Sequence, residues 1–128
     1  MIYIANQEER VGLKEIARAT DSPEAFTAKI LQALSRQGLL KSIKGPSGGF
    51  SLSKPASALN LAQIVEAIDG DQIFVGCGLG LERCDGSRPC PVHFKFASVR
   101  DALSEMLHKT TLNELADGLK AGTAFLTH

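Results

Sequence analysis

Tryptophan is absent from this chain of 128 residues, tyrosine occurs once, and aromatic residues make up 5%. With 44% hydrophobic residues, a core is within reach and must be mainly aliphatic. Net charge is also lacking, since fourteen Lys and Arg face fourteen Asp and Glu. This excludes a polycation that coats nucleic acid, but not a local basic face. No apolar run approaches the roughly 18 residues that cross a bilayer, so no membrane partner is expected. The start, Met1-Ile2-Tyr3-Ile4-Ala5, has no basic flank and soon meets Glu8-Glu9-Arg10. It does not read as a signal peptide, and a cytoplasmic protein is expected. The odd count of three cysteines argues against a disulfide framework.

The charge that is present is unevenly spread. Between Arg10 and Lys54 eight basic residues face three acidic ones, whereas from Pro55 onward six face nine. The basic half carries a recognisable order of elements. Leu13, Ile16 and Ala17 recur at helical spacing within a short helix over 11–20. After a turn at Thr20-Asp21-Ser22, Ser22 is expected to cap a second helix with Pro23 at its first position and Gly38 just past its end. Phe26, Ile30, Ala33 and Leu34 form its expected buried stripe, with Lys29 and Arg36 outside it. Two short helices around a tight turn make a helix-turn-helix.

Two alternating segments, Lys41–Lys44 and Phe50–Ser53, flank Gly45-Pro46-Ser47-Gly48-Gly49 and predict a hairpin. Two strands alone are marginal, so Ile43, Phe50 and Leu52 are expected to pack on the helices. A hairpin after a helix-turn-helix is the wing of a winged helix. The expected DNA-contacting residues are Thr27 and Lys29 on the second helix and Lys41, Lys44 and Ser47 on the wing.

The fold class expected is mainly α with a small β-hairpin wing, extended by a long C-terminal dimerisation helix. Leu61, Ile64, Val65 and Ile68 mark a helix stopped by Gly70. Pro91 can open a long helix to about Lys109, in which Val92, Phe96, Val99, Leu103 and Met106 alternate spacings of four and three. That stripe serves either a core helix or a homodimer seam; the winged part already has a core, which favours the seam. Thr111 with Glu114 forms a capping box for a last helix. The expected organisation is a DNA-binding domain over 1–70, a cysteine loop over 71–90, and a dimerisation and C-terminal segment over 91–128.

Cys77, Cys84 and Cys90 fall together in the Gly- and Pro-rich loop, separated by six and five residues. Structural zinc sites usually bring two cysteines two to four residues apart. Longer gaps let a loop wrap a larger object, such as a two-iron or four-iron sulfur cluster. Zinc is the alternative occupant. His93, three residues after Cys90, is placed to add a nitrogen, and Arg83 and Arg88 to lower the thiol pKa values. No acid–base pair accompanies His93 or His108, so an enzyme is not expected; a structural zinc protein and an iron–sulfur carrier are the rival classes.

These segments together resemble the Rrf-two family of winged-helix transcription regulators, including its iron–sulfur-assembly and nitric-oxide-sensing members. The resemblance spans nearly the whole chain. It is carried by Leu13-Lys-Glu-Ile-Ala17, by Phe26-Thr-Ala-Lys-Ile-Leu-Gln32, and by the wing Lys44-Gly45-Pro46-Ser47-Gly48-Gly49-Phe50. Ile64-Val-Glu-Ala-Ile-Asp-Gly70 and the three-cysteine loop followed by His93 complete it. Three features depart from the family's usual pattern: the first helix is shorter, reduced to Ile2-Tyr3-Ile4-Ala5, the first cysteine gap is one residue longer, and Lys44 stands where Arg is usual. The resemblance implies a homodimer that binds a double-stranded DNA operator under the control of an iron–sulfur cluster.

Overall fold

A computed structural model describes residues 1–127. The elements run α1 (Ile2–Ala5), α2 (Leu13–Ala19), α3 (Glu24–Arg36), β1 (Leu40–Ile43), β2 (Gly49–Leu52), a 3-10 turn (Ala56–Ala58), α4 (Leu61–Asp69), α5 (Gln72–Val75), α6 (His93–Lys109) and α7 (Leu112–Lys120). The core is aliphatic, as the composition requires. It joins Ile4, Val11, Ile16, Leu31, Leu34, Leu39, Leu40, Leu59 and Leu112 from five elements and the turns between them. No helix among the described residues is long and apolar enough to cross a membrane.

Helices α2 and α3 pack against each other as the helix-turn-helix. The turn is tighter than its sequence predicts. Ser22 returns its amide to the Ala17 carbonyl at 2.9 Å, and Asp21 takes φ 49°. Helix α3 therefore starts at Glu24 behind Pro23, with no side-chain cap, and Ser22 does not cap it. Its far end follows expectation: Gly38 at φ 78° lets Leu39 N–H reach the Leu34 carbonyl at 3.0 Å.

The buried face of α3 is turned by one residue from the expected stripe. Thr27, Leu31 and Leu34 are buried, whereas Phe26 is 59% exposed. The wing pairs β1 and β2 antiparallel in the register Leu40↔Leu52 to Ile43↔Gly49. It is tied to the body by Val11, which exchanges backbone bonds of 3.0 and 2.8 Å with Phe50. At Gly49, φ is 149° and a Cβ would come within 2.7 Å of the Val11 carbonyl, so this tie requires glycine. Phe50 and Leu52 pack against the core, but Ile43 lies beyond the tie and stays exposed, contrary to expectation.

Beyond the wing, α4 opens with a capping box of Asn60 and Gln63, and α7 with the expected one of Thr111 and Glu114. Helix α7 returns to the first helix: Asn6 Nδ2 donates to the Ala116 carbonyl at 3.0 Å, and Leu112 is fully buried. The 91–128 segment is thus divided, with α7 belonging to the winged core and α6 lying outside it against α4 and α5. Its last residue, His128, lies outside the described residues.

The expected seam of α6 is divided as well. His93, Phe96, Ala97, Arg100, Leu103, Ser104 and Leu107 form the face turned to the protein. Val92, Val99 and Met106, one every seven residues, stay exposed on the other face. Phe96 and Leu103, from the same expected stripe, are half-buried against the chain itself.

Candidate cluster site and DNA-reading surface

The cysteine loop hangs between α5 and α6. Gly78 approaches the Phe96 ring so closely that a Cβ there would come within 2.6 Å of it. Cys90 accepts the His93 backbone N–H at 3.0 Å, which turns the loop into the first helical residue of α6. Asp85 holds the far side of the loop by accepting from the Ser87 amide at 2.8 Å and its hydroxyl at 2.7 Å. These bonds hold the Asp85 carboxyl below the usual carboxylate range.

Four sequence-predicted donors meet here in two pairs. Cys77 Sγ lies 3.8 Å from Cys90 Sγ, and Cys84 Sγ lies 3.4 Å from His93 Nδ1. All three cysteines are unbridged and half-buried. The Leu79 amide donates to Cys77 Sγ at 3.4 Å. Backbone donors, Leu79 first and then Leu81, hold the Cys77 thiol below its ordinary pKa.

The pair spacings have a chemical meaning. Two thiolates on one tetrahedral metal, with bonds of about 2.3 Å, sit about 3.8 Å apart; a thiolate and an imidazole nitrogen sit about 3.5 Å apart. Each pair therefore matches one edge of a coordination tetrahedron. Among the described residues, no three His, Cys, Asp or Glu side chains gather closely enough to hold a single ion. Soft thiolate donors with an imidazole suit zinc and iron–sulfur clusters alike.

Sequence reasoning placed Arg83 and Arg88 beside the thiols, but both are exposed. The guanidinium at the site is that of Arg100, whose Nη1 donates to Cys84 Sγ at 2.9 Å. The signal was its place seven residues after His93, two turns along the same helix face.

The second surface is formed by α3 and the wing. Lys29, Lys41, Lys44 and Ser47 are exposed. Thr27 is 7% exposed and its hydroxyl donates to the Pro23 carbonyl at 2.9 Å, so it is a core residue and not a candidate DNA contact. The rotation of α3 that buries Thr27 brings Phe26 out beside Lys29. The exposed face runs Ala25, Lys29, Gln32 and Arg36, with Phe26 at its edge. Arg10, absent from the sequence-based candidates, reaches the Ser47 carbonyl with Nη2 at 3.2 Å and adds a cation beside the turn of the wing.

Residues 1–118 match the Rrf2 family, described as an iron-dependent transcriptional regulator. The chain belongs to the Rrf2 family. An HTH-type transcriptional regulator of Aquifex aeolicus is 31% identical over 118 residues, which are 90% of this chain and 82% of that protein. The HTH-type transcriptional regulator IscR of Pectobacterium carotovorum is 27% identical over 116 residues, 91% of this chain and 70% of that protein. Among solved structures, CymR, the global cysteine regulator of B. subtilis, superposes with a TM-score of 0.72 at 30% identity. That match covers 91% of this chain and 86% of CymR. T. potens IscR gives 0.70 at 24% identity over 94% of this chain and 78% of its own, a likeness of fold. This Rrf2 protein is a winged-helix, DNA-binding regulator of transcription rather than an enzyme.

Proposed function

We propose that this Rrf2 regulator binds its operator as a homodimer in the cytoplasm under the control of an iron–sulfur cluster held by Cys77, Cys84, Cys90 and His93. The observation that carries this reading is the pairing of the four donors at tetrahedral-edge distances, Cys77 with Cys90 and Cys84 with His93. A two-iron cluster presents two corners with two outer ligands each, which this pairing suits. When bound, the cluster supplies a one-electron couple and a site that oxygen or nitric oxide damages. The chain's own residues provide the rest. The Gly78–Phe96 contact and the Cys90–His93 turn fasten the loop to α6, so a change in the loop reaches that helix.

The exposed stripe of Val92, Val99 and Met106 is the surface offered to the second copy. Pairing through α6 would place two α3 helices on one two-fold assembly, suited to an inverted-repeat operator. Lys29, Lys41, Lys44 and Ser47 serve as backbone contacts. Phe26 supplies an apolar surface for a thymine methyl in the major groove.

Anaerobic purification followed by an absorption spectrum and iron and sulfide counts tests the cofactor. Visible absorption lost on replacing any one of the three cysteines by Ala supports a shared cluster. Zinc without sulfide would return the metal to a structural role. Titration of a promoter duplex and a scrambled duplex, with and without cluster, tests control: the cluster should alter affinity for the promoter more than for the scrambled DNA. Equal weak binding throughout would remove the regulatory reading.

A further inference from the structure

Arg100 leaves α6 two turns after His93 and enters the cysteine loop, with a side chain only 15% exposed. Nη1 donates to Cys84 Sγ at 2.9 Å and to the Gly76 carbonyl at 3.2 Å, and lies 3.5 Å from that of Val75. Nε is buried and has no hydrogen-bond partner among the described residues. The Asp101 carboxylate stands 3.7 Å from it and is itself 74% exposed, too open to act as a buried counter-ion. A guanidinium withdrawn from water without a closed ion pair is costly, and a buried donor with no acceptor adds to the cost. The polypeptide answers this charge with two neutral carbonyls and one sulfur. Of these acceptors only the Cys84 sulfur, as a thiolate, can carry the balancing negative charge.

Three thiolates outweigh the positive charge of an oxidised two- or four-iron core, and one-electron reduction increases the excess. A charge-assisted bond to a ligand sulfur is stronger than a neutral one. Hydrogen bonds to the sulfurs, and net charge around them, set where a cluster titrates with electrons. We propose that Arg100 is the positioning residue of this site. Its guanidinium fixes the Cys84 sulfur and balances the charge of the loaded loop, favouring the reduced state and slowing cluster loss. This inference rests on the cluster reading above.

The test compares the full chain with Arg100→Gln, which removes the charge, and Arg100→Lys, which keeps the charge but not the planar fork. Each is reconstituted anaerobically with iron and sulfide. The readouts are iron and sulfide content, the reduction potential against dyes, and the bleaching rate in EDTA. In Arg100→Gln the reduction equilibrium should fall at least tenfold, a potential about 59 mV more negative for a one-electron couple. Bleaching should be several-fold faster, and lysine should recover part of both losses. A folded glutamine variant that retains no cluster, with retention restored by lysine, supports the same role. A glutamine variant with unaltered potential and bleaching rate overturns it. Should far-UV circular dichroism show that the glutamine variant is unfolded, Arg100→Met, of similar length and without charge, takes its place, and unaltered potential and bleaching rate there overturn the role. An unmodified chain that takes up no iron and sulfide refutes the cluster reading instead, so the two failures are distinct.

Discussion

Asn60 and Thr111, fifty-one positions apart, meet as an isolated antiparallel bridge, and each is the N-cap of its own helix. On either side, Leu112 N–H donates to Leu59 at 2.8 Å and Leu61 N–H to Thr110 at 3.0 Å. The excursion through α4, α5, the cysteine loop and α6 therefore leaves and rejoins the winged core at one point. Leu59 and Leu112, both fully buried, sit under that clamp.

The clamp gives the first prediction. Removing an N-cap side chain costs roughly 1 kcal/mol. Thr111→Ala and Asn60→Ala should each lower the urea midpoint by that measure with the slope unchanged. Because the two residues touch, their double variant should depart from additivity. Two neutral single variants would mean that the backbone bridge alone holds the ends together.

Much of this architecture was legible in the sequence, because periodicity and turn chemistry are local. The Gly38 helix end, the wing and the Thr111–Glu114 box depend on neighbours a few residues away, and all three form as expected. The phase of α3 was misread because Phe26 is the larger hydrophobe and Thr27 the smaller polar residue. Packing favoured the threonine, whose hydroxyl satisfies itself on the Pro23 carbonyl, a bond invisible to a hydrophobicity pattern. The cysteines stood out by clustering. Their pairing, and the bond from Arg100 to Cys84 sixteen residues back, depend on tertiary contacts that the gaps between the cysteines do not encode.

That misreading yields a second prediction, separating fold from DNA contact on opposite sides of one helical turn. Thr27→Val removes a buried hydroxyl bond and should cost about 1 kcal/mol of stability while leaving the salt dependence of DNA binding unaltered. Lys29→Ala should leave the urea midpoint in place. If Lys29 meets phosphate, it should also reduce the log–log salt slope by about one per subunit. Denaturation curves paired with a salt titration of promoter binding check both. A Thr27 variant that changes the slope would return that residue to the DNA interface.

The divided stripe of α6 gives the third. Val99 is 65% exposed and Met106 is 48% exposed, whereas Leu103 belongs to the half-buried face. Val99→Glu with Met106→Glu should yield monomers by light scattering with helicity intact, because an unpaired charge buried at an interface is too costly to keep. Leu103→Glu should instead lower stability, since that residue is half-buried on a helix that packs against α4 and α5. Dimers that survive the paired substitution would place the two-fold contact elsewhere.

The last prediction concerns the chain stripped of metal. Backbone N–H groups, chiefly that of Leu79, hold the Cys77 thiol below the ordinary range, so a larger share of it is thiolate at neutral pH than of an unperturbed thiol. In metal-free protein, brief iodoacetamide treatment at pH 7 should label Cys77 before Cys84 or Cys90. Its rate should fall about tenfold per unit once pH drops below its lowered pKa, because the thiolate is the nucleophile. The Cys90 sulfur, at 3.8 Å, is the nearest of the paired thiols to that nucleophile. Diamide should therefore take two electrons and two protons from Cys77 and Cys90, being reduced to its hydrazine as their disulfide forms. Cys84, paired with His93 and bonded by Arg100, should remain a free thiol. Peptide mapping after alkylation reads the outcome directly. A disulfide involving Cys84, or equal labelling of all three thiols, would show that the pairing of donors does not persist without a bound group.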